Sequence, residues 1–89
     1  MAGDKPAELL LYTTLGCSLC EKAKAEIWPV LDSFGLRLRE VDIAADDDLE
    51  QRFGTRIPVV GLGDPEDVLG WPFDRDGLVD WLRVRIRHP

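Results

Sequence analysis

The chain has 89 residues, room for one small domain and a single modest core. It carries 17 acidic against 11 basic side chains, a formal charge of −6. That excludes a general nucleic-acid binder, which needs a basic face to displace phosphate counterions. At 45% hydrophobic residues it is too apolar for a disordered acidic tail, and no apolar run approaches the roughly 20 residues that span a bilayer.

Residues 1–7 read as a loose leader, because Gly3, Asp4 and Pro6 disfavour regular structure. They lack the charged-then-apolar pattern of a signal peptide, so a soluble, cytoplasmic protein is expected, with residues 8–89 as its single domain. Leu9 to Thr13 is a short apolar run with the character of a buried strand. Thr14-Leu15-Gly16 then turns into a helix starting near Cys17. Cys20, Ala23, Ile27, Val30 and Phe34, with Leu31 beside them, form one stripe at helical spacing. Lys22, Lys24 and Glu26 fall off it, Pro29 should kink or break the helix, and Gly35 should stop it.

Leu36 to Ile43 has strand alternation whose phase slips by one residue, from Leu36 and Leu38 to Val41 and Ile43. A bulge or an early strand end would account for the slip. Asp46 to Phe53 reads as a short helix with an acidic first turn, closed by Gly54. Ile57-Pro58-Val59-Val60 is a third apolar segment, Gly61 to Asp67 has turn chemistry, and Val68 to Trp71 returns as a strand. A last helix begins near Asp74, with Leu78, Trp81, Leu82 and Ile86 on one face.

This order predicts an α/β fold, β-α-β-α-β-β-α. The first strand–helix–strand unit requires parallel strands with a right-handed crossover, and the last two strands suit a hairpin. The result is a mixed four-stranded sheet flanked by helices.

Cys17 and Cys20 are the only cysteines. A disulfide across three positions closes too short a loop to restrict the unfolded chain much, so reactivity explains the pair better than stability does. At a helix start, free N–H groups and the helix dipole favour a thiolate on Cys17, the attacking form. Cys20 lies one turn on, on the apolar stripe, placed to resolve a mixed disulfide. The spacing also occurs in metal sites, which need about four ligands. The only histidine is His88, so a metal or iron–sulfur site would need a dimer sharing four thiolates. Two inert buried cysteines are a further alternative.

Proline is unusual at the start of an internal strand. A cis bond before Pro58 would offer the N–H and C=O of Ile57 to an extended substrate, whereas a trans proline on an edge strand would carry no function. Arg52 and Arg56 could flank such a groove and attract a carboxylate, or be solvated surface. Trp28, Trp71 and Trp81 are expected to pack, Trp71 at the site's edge.

Taken in order, Leu11-Tyr12-Thr13-Thr14-Leu15-Gly16-Cys17-Ser18-Leu19-Cys20-Glu21-Lys22-Ala23, Val41-Asp42-Ile43, Arg56-Ile57-Pro58-Val59-Val60 and Leu69-Gly70-Trp71-Pro72-Phe73-Asp74 resemble the thioredoxin superfamily, and specifically its small bacterial glutaredoxin-like proteins. The resemblance runs from about residue 8 to 86. It implies a thioredoxin-like fold, a cis Pro58 facing a redox-active Cys17–Cys20 pair, and thiol–disulfide exchange on a disulfide-containing protein or small thiol. Cys17 and Cys20 would be catalytic, with Ile57, Pro58 and Trp71 binding substrate. No resident cofactor, metal, nucleic acid or membrane is expected, and the chain should act as a monomer.

The departures bear on glutathione. Ordinary glutaredoxins carry a Gly-Gly pair and an acidic residue after the last strand, where N–H groups hold a glutathione carboxylate. Here Gly70 is followed by bulky Trp71 and by Pro72, which has no N–H. Ser18-Leu19 replaces the usual residues between the cysteines. Glutathione as the reductant is therefore in question, and two alternatives stand beside catalysis: a binding module on the same scaffold, and a dimeric metal or cluster carrier.

Overall fold

Alternation along the first strand sends Leu9 and Leu11 into one core and Leu10 and Tyr12 into another, on opposite faces of the sheet. In the computed structural model, which describes residues 7–86, that strand is β1, Ala7–Thr13. It is followed by α1 (Ser18–Phe34), β2 (Leu36–Asp42), a 3-10 turn (Ile43–Ala45), α2 (Asp47–Phe53), β3 (Val59–Gly61), β4 (Val68–Gly70) and α3 (Arg75–Arg85). The strand order is β2-β1-β3-β4. β1 and β2 are parallel, and β3 is antiparallel to both β1 and β4, as the element order requires. Of the predicted leader, residues 1–6 lie outside the described residues, and Ala7 already belongs to β1.

The larger core fills the space between the sheet and α1 and α3, with Ala23, Ile27, Leu78 and Leu82 against Leu9, Leu11 and Val60. The smaller core, under α2, joins Tyr12, Ile43, Phe53 and Val59. Burial, with Asp64 adding to it, pushes the Tyr12 phenol above its usual range. This two-sided arrangement explains the phase slip in β2. Pairing runs without a bulge from Ala7↔Leu36 to Thr13↔Asp42. Leu36 and Leu38 serve the α1/α3 core, and Val41 and Ile43 the α2 core. The strand is covered on one face in its first half and on the other in its second. It ends one residue earlier than expected, because Asp42 caps the 3-10 turn by accepting the Ala44 N–H at 2.9 Å.

Pro29 does not end α1, which continues to Phe34. Pro29 lies on the exposed face, where water can satisfy the carbonyl left without a donor. Trp28 does not pack as expected; it falls outside the buried stripe and is 57% exposed. Trp71 and Trp81 do pack against the larger core. Gly35 stops α1 in the left-handed region, φ 64°, with its N–H donating to Asp32 and Leu31 carbonyls. A Cβ at Gly35 would meet nothing within 4 Å, so Gly35→Ala should cost only backbone strain, about 1 kcal/mol. Urea denaturation measures it, and an unchanged midpoint would show that the turn relaxes freely.

α3 is anchored at both ends. Asp74 caps it through the Gly77 N–H at 2.8 Å, and the Arg75 N–H donates to Glu26 of α1 at 3.0 Å. Near its end, Arg85 grips both Asp67 oxygens and stacks over Trp81, fixing the helix to the β3–β4 loop.

Candidate functional site

The parallel and antiparallel registers bring the predicted site segments together at one end of the strands. Tyr12 pairs with Val59, and Val59 with Gly70. The residues just beyond these pairs, Thr13, Pro58 and Trp71, therefore follow one another across the end of β1, the start of β3 and the end of β4. The Trp71 N–H donates to the Pro58 carbonyl at 3.0 Å, joining the last two directly. The chain leaving Thr13 passes through Gly16, whose φ of 79° suits glycine, and places Cys17 at the N-cap of α1.

Cys17 and Cys20 form a disulfide, with Cα atoms 5.3 Å apart. The pair is asymmetric. Cys17 is half-buried at the helix start, whereas Cys20 is 1% exposed. The Cys20 N–H donates to the Cys17 sulfur at 3.2 Å. In the reduced protein the same donor, with the helix dipole, favours a thiolate on Cys17. Leu15 and Leu19 frame the pair with apolar surface; Leu15 is 93% exposed.

The Ile57–Pro58 bond is cis, as the resemblance implies, and Pro58 is buried at the entrance to an internal strand. The edge-strand reading is thereby overturned. Trp71–Pro72 is also cis, which sequence reasoning did not foresee. One expectation needs correction: the Ile57 N–H is not on offer to a substrate, because it donates to the Phe53 carbonyl at 3.1 Å. The end of α2 leaves that acceptor free, and the short turn into Pro58 brings Ile57 onto it. Strand addition at Ile57 is left with its carbonyl.

A cleft of about 590 Å³ opens beside Cys17 on the β2 side of the site, away from Pro58 and Trp71. Its walls include Ser18, Glu21, Glu40 and Asp42. Sequence reasoning did not find the last two. They alternate with apolar residues like any exposed strand positions, and only the register that pairs Leu11 with Glu40 and Thr13 with Asp42 brings them beside the cysteine turn. Lys24 bridges Glu21 and Glu40 at 3.2 and 3.1 Å. Its ammonium is held above the usual lysine range, chiefly by the hydrogen bond to Glu40 and then by that to Glu21. Arg52 lies in the last turn of α2, and Arg56 stacks over Phe53 at 5.8 Å; neither lines the cleft. Among the described residues no group of at least three His, Cys, Asp or Glu could hold a metal ion, and His88 lies outside them.

A mixed four-stranded sheet, flanked by helices and carrying a cysteine pair at the start of its first helix, defines a thioredoxin-like α/β protein. Within that class the chain belongs to the glutaredoxin-like domain family (DUF836), whose model matches residues 8–83. Among solved structures it is similar to target protein XcR50 from X. campestris. The crystal structure of that protein shares 34% identity and a TM-score of 0.67, over 85% of this chain and 96% of that one. The protein Ne2328 from Nitrosomonas europaea shares the fold at 20% identity and a TM-score of 0.66, over 86% of this chain and 92% of that one. A malarial protein does so at 13% identity and a TM-score of 0.65. No curated protein matches the chain.

Proposed function

We propose that this protein is a thiol–disulfide oxidoreductase that cycles between a Cys17/Cys20 dithiol and the disulfide. The observation that carries the reading is the asymmetric pair: a half-buried Cys17 capping α1 and a buried Cys20 one turn on, within disulfide reach. In the reduced protein the Cys17 thiolate attacks one sulfur of a substrate disulfide. The Cys17–substrate bond forms, the substrate S–S bond breaks, and the leaving thiolate takes a proton from water. Cys20 then loses its proton and attacks the Cys17 sulfur, closing the intramolecular disulfide and releasing the second substrate thiol. Two electrons pass from protein to substrate, and two equivalents of an external thiol return them by the reverse steps, leaving as their own disulfide.

Pro58 and Trp71 line the substrate's approach at that end of the strands, with the Ile57 carbonyl as an acceptor for the substrate backbone. The substrate is a disulfide-bearing protein or small thiol, and the cycle needs no resident cofactor. The protein acts as a monomer in the cytoplasm. Among the described residues no helix is long and apolar enough to cross a membrane.

Equilibrium titration in glutathione buffers, read by thiol alkylation and mass, tests the reading. The expected result is a reversible two-electron couple without lasting glutathione adducts. A pair that stays reduced throughout, or that holds glutathione on one sulfur without closing, would reject the dithiol cycle and return weight to plain binding or to shared metal ligation.

A further inference from the structure

The cleft that exposes Cys17 carries charge of one sign. Glu21, Glu40 and Asp42 line it, and no lysine or arginine does. Each carboxylate has a structural partner: Lys24 for the first two, the Ala44 N–H for the third. These partners do not cancel the charge. One ammonium shared between two carboxylates leaves one negative charge, and a backbone N–H leaves the Asp42 charge in place. The cleft thus keeps two net negative charges beside the sulfur, in a chain whose formal charge is already −6. Leu15, 93% exposed, adds apolar surface to the lining. Lys22 on α1, Arg52 on α2 and Arg56 just after α2 all stand outside the cleft lining.

A substrate bonded to Cys17 spans the sulfur, with one flank against Pro58 and Trp71 and the other over the cleft, so the second flank comes within the reach of these carboxylates. We infer that the cleft selects substrates by charge, and that the physiological partner presents its cysteine in a protein segment with lysine or arginine beside it and an apolar side chain for Leu15. Anionic thiols, glutathione among them, are disfavoured. The inference rests on the exchange reading above and specifies its substrate. The site is the reactive disulfide; the carboxylates decide which disulfide reaches it.

Three small disulfides with different charges provide the test: cystamine, 2-hydroxyethyl disulfide and 3,3′-dithiodipropionate. The reduced protein is mixed with each, and Cys17–Cys20 closure is followed by acid quench, alkylation and mass. Each rate is divided by the rate of 2-mercaptoethanol with the same disulfide, which removes the intrinsic reactivity of the probe. At about 10 mM ionic strength the normalised rates should fall in the order cation, neutral, anion, with about tenfold between the ends. Near 0.5 M salt the spread should close to about twofold, because screening shortens the field to a few ångströms. The combined Glu21→Gln, Glu40→Gln, Asp42→Asn variant should lose the order at low salt.

The salt series on the unaltered protein stands by itself if that variant fails to fold. Equal normalised rates, or a preference for the anion, would overturn the charge selection and leave the exchange reading intact. If no probe closes the pair, both fall together.

Discussion

Replacing Cys17 with serine should reduce disulfide exchange by at least about a thousandfold, whereas Cys20→Ser should leave the first step intact and stop the second. The difference follows from position. Cys17 caps α1, borders the open cleft and accepts the Cys20 N–H at 3.2 Å. A serine hydroxyl there is a poor nucleophile near neutral pH, since it keeps its proton where a thiol at a helix start loses it. Cys20 is 1% exposed and meets a substrate only after the substrate is bonded to Cys17. The Cys20→Ser protein should therefore accumulate a mixed disulfide, seen as a mass increase equal to one substrate thiol. Wild-type exchange in Cys17→Ser would make Cys20 the nucleophile and reverse the roles. Full turnover of Cys20→Ser with glutathione would replace the dithiol cycle by a one-thiol route.

What the sequence disclosed, and what it hid, divides along local and non-local physics. The order of the elements, the cap at Cys17, the stop at Gly35 and the stripe on α1 all depend on residues within a turn or two of each other. Each was legible. The slip in β2 was visible but not interpretable. It looks like a bulge until α1 and α2 are known to cover opposite faces at opposite ends of the strand. Pro29 does not break the helix, because the cost of a helix proline depends on whether its face is wet, which a local pattern does not specify.

The site followed the same division. Cys17, Cys20 and Pro58 announce themselves by residue type and spacing. Glu40 and Asp42 do not, since their place beside the cysteine turn comes from the β1–β2 register alone. The Ile57 N–H was misassigned for a related reason. Its partner is the last carbonyl of a helix whose end could be read from the sequence, but not the turn that folds Ile57 back onto it.

That turn makes Phe53 the residue on which the α2 side of the molecule depends. Its ring is 0% exposed, lies 4.6 Å from the Tyr12 ring, and fills the smaller core with Ile43 and Val59. Its carbonyl accepts the N–H groups of both Arg56 and Ile57, so the same residue fixes the approach to Pro58. Phe53→Ala should cost about 3–5 kcal/mol, from lost burial and the cavity left behind. The loss is a large share of the roughly 5–15 kcal/mol that holds a domain of this size. It should lower the melting temperature by roughly 15–30 °C. Phe53→Leu, which keeps most of the volume, should cost less than about half as much. Denaturant titration of the three proteins decides the matter. Substitution costs that are both small would mean that α2 packs loosely and that the Pro58 approach is held from β3 and β4. A large cost for alanine with a small one for leucine would locate the support in the filled space beneath α2. In that case Phe53→Leu should also retain disulfide exchange, because the backbone carbonyl that holds Ile57 is unchanged.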